Sequence, residues 1–154
     1  MAAMEIERKF LPAQLPEDLS AYEVHRIEQG YLCTDPVVRI RRSDDDYYLT
    51  YKAKGLLARE EYNLPLNADA YAHLKPKADG RIIEKKRYLI PLDAHLTVEL
   101  DIFGGDLAPL ILAEVEFASE EEAVAFVPPA WLGTDVTCDR RYHNSEMSRA
   151  DYSL

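Results

Sequence analysis

Carboxylates and bases recur in this chain at a spacing of two. Glu5, Glu7 and Lys9 alternate with Ile6 and Arg8, Arg39 and Arg41 flank Ile40, and Lys52 and Lys54 flank Ala53. Arg59 and Glu61 flank Glu60, Lys85 and Arg87 flank Lys86, Glu99 and Asp101 flank Leu100, and Glu114 and Glu116 flank Val115. A period of two puts each set on one face of a β-strand, because successive side chains point to opposite sides of the sheet. Gathering so much charge on inner faces is unfavourable unless it is paired, hydrogen-bonded or liganded. Arginine and lysine recognise phosphate oxygens well. Clustered carboxylates suit a hard divalent cation, Mg2+ or Mn2+, rather than zinc. Together the two sets describe a site for a metal-bound polyphosphate. A single Glu-x-Glu carries little, since exposed strands often contain one; the recurrence carries the reading.

The elements that must position these groups read as short strands. Met4, Ile6 and Phe10 form the apolar face opposite Glu5, Glu7 and Lys9. Further strands are expected over Tyr22–Leu32, Val38–Arg41, Tyr47–Lys54, Arg59–Leu64 (stopped by Pro65), Ile82–Ile90, Thr97–Phe103 and Ile111–Phe117. Gly30 suggests a bulge or close backbone approach, and the polar run Ser43–Asp46 a hairpin turn. A short helical turn is expected at Leu15–Leu19. Asn67 is placed to cap a helix over Ala68–Leu74 that Pro76 ends. Ser119 with Glu122 reads as a capping box, and Pro128-Pro129 ends that helix. A last strand over Val136–Tyr142 and a helix over Ser145–Ala150 complete the chain. About eight strands with short connections favour antiparallel neighbours. A charged face repeated around the whole sheet predicts a closed barrel with an ionic interior, its apolar faces packed outward under helices or a partner subunit.

The bulk properties agree. The 154 residues suit one α+β, mainly β domain over 1–154, with 47% hydrophobic and 30% charged residues. Net charge of −10 argues against nucleic acid or anionic membrane as a partner. No apolar run reaches membrane-span length and no signal-peptide pattern opens the chain, so a cytoplasmic protein with Cys33 and Cys138 reduced is expected, a single distant disulfide between them being the alternative. His25, His73, His95 and His143 are scattered, which argues against a phosphohistidine route. No P-loop occurs. Trp131 reads as a loop-packing residue.

The blocks Glu5-x-Glu7-x-Lys9, Gln29-Gly30-Tyr31-Leu32, Arg39-Ile40-Arg41, Leu49-Thr50-Tyr51-Lys52, Lys85-Lys86-Arg87-Tyr88, Glu99–Phe103 and Ala113–Phe117 occur in this order. With Val136-Thr137, Asp139, Tyr142 and Asn144 behind them, they resemble the CYTH domains, or triphosphate tunnel metalloenzymes, over nearly the whole chain. Asn63 stands where many of that family carry a second acid, and Arg140 where lysine is common. The resemblance implies an eight-stranded antiparallel tunnel barrel and hydrolysis of a triphosphate. It implies a metal, Mg2+ or Mn2+, on Glu5, Glu7, Glu114 and Glu116, with Glu99 and Asp101 as further candidate metal ligands. Lys9, Arg39, Arg41, Lys52, Lys54, Lys85 and Arg87, with Arg59 and Arg140, would hold the phosphates. Lys85 and Arg87 would also neutralise developing charge, and Glu61, Asp101 or a second metal would activate water. The short chain leaves little to build a pocket for a large organic group, which favours inorganic triphosphate. The same fold also serves nucleoside or thiamine triphosphate hydrolysis and class IV-type adenylate cyclisation. A non-catalytic polyphosphate-binding module is the reading from another class. A homodimer through the outer apolar surface and a C-terminal segment from His143 across one tunnel mouth are further expectations.

Overall fold

The computed structural model describes residues 3–153. Its strands are β1 (Ala3–Leu11), β2 (Glu23–Thr34), β3 (Val37–Ser43), β4 (Asp46–Lys52), β5 (Ala58–Leu66), β6 (Asp79–Pro91), β7 (Thr97–Phe103), β8 (Ile111–Glu116) and the two-residue β9 (Thr134–Asp135). All pairings are antiparallel, in the order β5-β4-β3-β2-β6-β7-β8-β1. β1 then returns to β5 through Ala3↔Glu61 to Ile6↔Ala58, which closes an eight-stranded ring. β9 stands outside the ring. It continues along the edge of β1 past the point where β5 leaves, pairing Phe10 with Asp135.

Closure follows from the pattern of alternation. On β1 and on β3 to β8 the parity that carries the spaced charges faces inward, so the larger hydrophobic cluster lies outside the barrel. Phe10, Val98, Leu100, Val115 and Phe117 are buried there with Ala123 of helix α2 (Glu120–Ala125) and Leu132. Ser119 caps α2 by accepting from the Glu122 backbone N–H at 3.1 Å, as expected, but the Glu122 side chain turns to His95 instead of completing the box. Asn67 caps helix α1 (Ala68–Leu74) through the Ala70 N–H at 2.7 Å.

Several expectations need correction. Pro65 does not stop its strand: it pairs with Tyr48 inside β5. β1 pairs only with residues 58–61 of β5, so Pro65 sits where the strand has one neighbour and its missing N–H costs no ladder bond. β4 ends at Lys52, leaving Lys54 in the loop. The early helical turn is a 3-10 turn at Leu19–Ala21, set by Asp18, which accepts from the Ser20 N–H. No strand forms over Val136–Tyr142. There Asp135 bonds both the backbone and the hydroxyl of Thr137, and Asp139 caps a 3-10 turn at Arg140–Tyr142. Such short polar side chains compete with the ladder for the backbone. Helix α3 (Asn144–Met147) is accordingly short.

One end of the barrel interior is apolar. Tyr31, Val37, Ile83, Phe103 and Leu112 share inward parity with the charged residues of their strands, and Val136 and Met147 of the C-terminal segment pack against them. The segment is tied on by the Arg81 N–H, which donates to the Ser148 carbonyl at 2.6 Å. Gly80 makes that approach possible: at φ 67°, a Cβ there would lie 2.0 Å from the same oxygen.

Candidate active site

Beside the apolar end of the interior lies a cavity of about 330 Å³ whose wall is dominated by acids and bases, with Tyr31 and Val37 shared between the two. Glu5, Glu7 and Lys9 of β1 line it beside Glu114 and Glu116 of β8, held by the register Glu7↔Glu116 and Lys9↔Glu114. Arg39 and Arg41 of β3, Lys52 of β4, Arg59 and Glu61 of β5, Arg87 of β6 and Glu99 of β7 complete the ring. β1 and β3 are separated by β5 and β4 along the shorter arc of the ring, so the paired glutamates and the paired arginines occupy different walls.

Most of these charges are paired. Lys52 Nζ lies 2.8 Å from both oxygens of Glu5 and 3.4 Å from Glu61, while Arg59 Nε stands 3.6 Å from Glu5. Lys9 Nζ is 3.5 Å from Glu114 and donates to the Tyr142 carbonyl at 2.8 Å. Arg87 grips Asp101 with Nε at 2.8 Å and Nη2 at 2.9 Å, and reaches Glu99 through Nη1 at 2.8 Å. Lys85 Nζ takes the second Asp101 oxygen at 2.7 Å.

Arg39 and Arg41 differ. Both are buried, and neither meets a carboxylate among the described residues. Arg39 donates through Nη2 to Thr50 Oγ1 at 3.2 Å, and its Nε has no partner among the described residues. Arg41 donates through Nε to Gln29 Oε1 at 2.8 Å. A buried cation without a counter-ion is costly, and an anion in the cavity is the partner this wall lacks.

The titration behaviour follows the pairing. Burial pushes the Glu5 carboxyl up, but the Lys52 ammonium and hydrogen bonds outweigh it and hold the pKa at about 2. Burial likewise opposes ionisation of Glu114, and Lys9, Arg87 and Lys85 overcome it, leaving the carboxyl well below its usual range. Glu7 has no base within ion-pair distance among the described residues. Burial and then the charges of Glu114 and Glu5 push it well above the ordinary carboxylate range. Glu116 is raised by burial, Glu5 and Glu99. Burial, only partly offset by Asp101, brings the Lys85 ammonium down to about 7.

These features bear on a metal. Among the described residues no three acids or histidines converge as a preformed ligand set. The donor chemistry nonetheless fits a hard divalent cation: Glu7 and Glu116 are adjacent, all-oxygen, and destabilised by like charge that a cation would remove.

Not every expected residue reaches the cavity. Lys85 and Asp101 are fully buried behind its wall, paired to each other. Lys54 is misassigned as an inward base. Its side chain is 84% exposed and lies 3.7 Å from Asp35, because β4 has already ended. Arg140 is exposed and lines a depression at the rim with Lys54, Arg59 and His143. Gln29, Thr50 and Asn144 were not anticipated as site residues. Thr50 and Gln29 carry the inward parity of Lys52 and Tyr31, and all three lie in blocks that carry the family resemblance; Asn144 arrives from a segment with no periodicity.

A CYTH domain family model matches residues 3–150. The chain is 43% identical over 149 residues to an inorganic triphosphatase of Nitrosomonas europaea, covering 94% of this chain and 96% of that one. It is 34% identical over 154 residues to an inorganic triphosphatase of Acetivibrio thermocellus, covering 96% and 95%. A crystal structure of an inorganic triphosphatase superposes with a TM-score of 0.70 at 39% identity, over 97% of this chain and 95% of that one.

Proposed function

The chain belongs to the CYTH domain family, and on that premise we propose that it hydrolyses inorganic triphosphate to pyrophosphate and phosphate inside the tunnel, with a divalent metal. The observation that carries this reading is the wall of Arg39 and Arg41, two buried guanidiniums with no carboxylate partner among the described residues, facing a cavity that also holds, on another wall, Glu7 and Glu116, which no base pairs among the described residues. A polyanion accompanied by a cation satisfies both. The matched inorganic triphosphatases support the choice of anion.

Arg39 and Arg41 bind the phosphoryl oxygens, with Lys9, Lys52, Arg59 and Arg87 completing the cationic lining. Glu5, Glu7, Glu114 and Glu116 would hold Mg2+ or Mn2+. Bound there, the ion supplies charge neutralisation at the phosphoryl oxygens and acidifies water. Phosphoryl transfer needs little covalent work from the protein, so positioning and electrostatics dominate. Glu61 would take the proton of the attacking water; that it lines the cavity and accepts from Asn63 Nδ2 at 2.8 Å supports this role. Asp101 has both oxygens engaged by Lys85 and Arg87, so it orients those bases. A volume of about 330 Å³ lies at the small end of ligand cavities, which suits triphosphate better than a nucleotide or thiamine ester. The reading extends to a cytoplasmic protein engaging neither nucleic acid nor membrane, with the outer apolar surface free to pair with a second copy. Among the described residues no helix is long and apolar enough to cross a membrane.

The test is product release from inorganic triphosphate, ATP and thiamine triphosphate, each with Mg2+ and with Mn2+. Pyrophosphate and phosphate from inorganic triphosphate at the highest kcat/KM are expected. Cyclic nucleotide with pyrophosphate from ATP would instead mark a cyclase. Absence of turnover on all three sinks the enzymatic reading.

A further inference from the structure

Gln29 is the largest fully buried polar side chain without charge in the interior, and the activity proposed above assigns it nothing. It stands opposite Arg41 in the β2–β3 register. Its Oε1 accepts from Arg41 Nε at 2.8 Å, and its Nε2 donates to Asn144 Oδ1 at 3.2 Å. Asn144 Oδ1 also accepts from Lys85 Nζ at 3.2 Å. These bonds fix the amide orientation, since the oxygen must face Arg41 and the nitrogen must face the Asn144 side-chain oxygen.

The charge type at this position matters. Lys9, Lys52, Lys85 and Arg87 are each oriented by carboxylates, which cancel part of their charge. Arg41 is oriented by a neutral acceptor bound to Nε alone. An amide holds the guanidinium in place while leaving its full charge, and its terminal nitrogens are those that grip an oxyanion side-on. Thr50 stands in the same relation to Arg39: a neutral hydroxyl, directly opposite in register, accepting from one nitrogen.

Resting on the triphosphatase reading, we propose that Gln29 is a positioning residue for substrate binding: its neutral amide aims the Arg41 guanidinium into the tunnel without neutralising it. Asn144 locks the amide in that orientation. Gln29 thereby sets the affinity for the triphosphate anion, and it does so through Arg41.

The decisive substitution is Gln29→Glu, nearly isosteric but able to pair with Arg41. It should raise KM for inorganic triphosphate by about tenfold or more, the scale of one charge-assisted hydrogen bond surrendered to a competing carboxylate. It should lower kcat less, and leave thermal stability without ligand equal or higher, because it adds a buried ion pair. A merely structural role predicts loss of stability with no split between KM and kcat. Gln29→Met keeps the volume and removes the acceptor, so it should also raise KM, with a smaller effect than Gln29→Glu. Arg41→Ala separates this inference from the reading beneath it. If Arg41→Ala raises KM while both Gln29 variants stay within twofold of wild type, the inference is overturned and the triphosphatase reading stands. If Arg41→Ala leaves KM unchanged, the arginine wall is wrong and the inference falls with it.

Discussion

At the scale of single residues, Glu7 sets stability against function. It pairs across the ladder with Glu116 and feels Glu114 and Glu5, with no base in reach among the described residues. Glu7→Gln removes that repulsion and keeps the shape. Without metal the variant should melt at the same temperature as wild type or higher, while turnover at saturating metal falls on the order of a hundredfold. A lower melting point with unchanged turnover refutes both halves. His25 offers a pH prediction away from the acids. Its Nδ1 and Nε2 meet Asp44 at 2.6 Å and Glu23 at 2.7 Å, and the bond to Asp44, then that to Glu23, raises its pKa above 6.5. A raised histidine stabilises the fold fully below 6.5, and that contribution is lost as pH rises through the folded pKa. NMR titration should show the raised value in wild type and a return toward 6.5 in Asp44→Asn; a wild-type value at or below 6.5 refutes the pairing. The inward residues were legible because parity alone decides their side. Lys54 was not, since its spacing matches Lys52 but its strand ends one turn of the pleat too soon.

At the scale of elements, strands with strict alternation were legible to within a few residues, Thr97–Phe103 to the residue. The C-terminal segment was not: its path depends on side chains such as Asp135 and Asp139 bonding nearby backbone, which leaves no period to read. The turn leading into β9 depends on a glycine. Gly133 has φ 73°, and a Cβ there would lie 2.1 Å from the Leu11 carbonyl oxygen and 2.8 Å from the Ala13 nitrogen. Gly133→Ala should therefore cost about 2 kcal/mol or more, since both the backbone and its neighbour must shift. For a chain of this size that lowers the melting temperature by about 4–8 °C. Gly104→Ala is the control, because its Cβ would meet nothing nearer than the Glu84 carbonyl at 3.9 Å. Equal melting points for the two variants refute the packing argument at Gly133.

At the scale of the whole molecule, the barrel places its core outside and its charges inside, so its stability is coupled to whatever fills the tunnel. The closed ring was legible from the repetition of charged faces; a C-terminal segment across one mouth was expected only from the family resemblance, and the apolar lining it packs against, forming a plug, was not legible. Ile83, Phe103 and Leu112 share the inward parity of Lys85, Asp101 and Glu114, and only the three-dimensional course of the C-terminal segment shows that Met147 packs against them. The plug leaves the ionic cavity as the part of the interior that a ligand can change. A polyanion that binds only the folded state stabilises it by mass action, about 2.7 kcal/mol at roughly a hundred times its dissociation constant. That corresponds to roughly 5–10 °C in melting temperature. The measurement is best made in EDTA, where no metal supports turnover and the anion meets the arginine wall alone. Inorganic triphosphate should give the largest shift, pyrophosphate less and phosphate least, because each added phosphoryl group reaches more of the cationic lining. Sulfate at matched ionic strength controls for screening. Arg39→Ala should diminish the triphosphate shift and leave the sulfate baseline where it is, since among the described residues Arg39 gives up no ion pair and its Nε is unpartnered. If triphosphate moves the midpoint no further than sulfate does, the two guanidiniums do not form an anion site, and the charged tunnel is a feature of the fold alone.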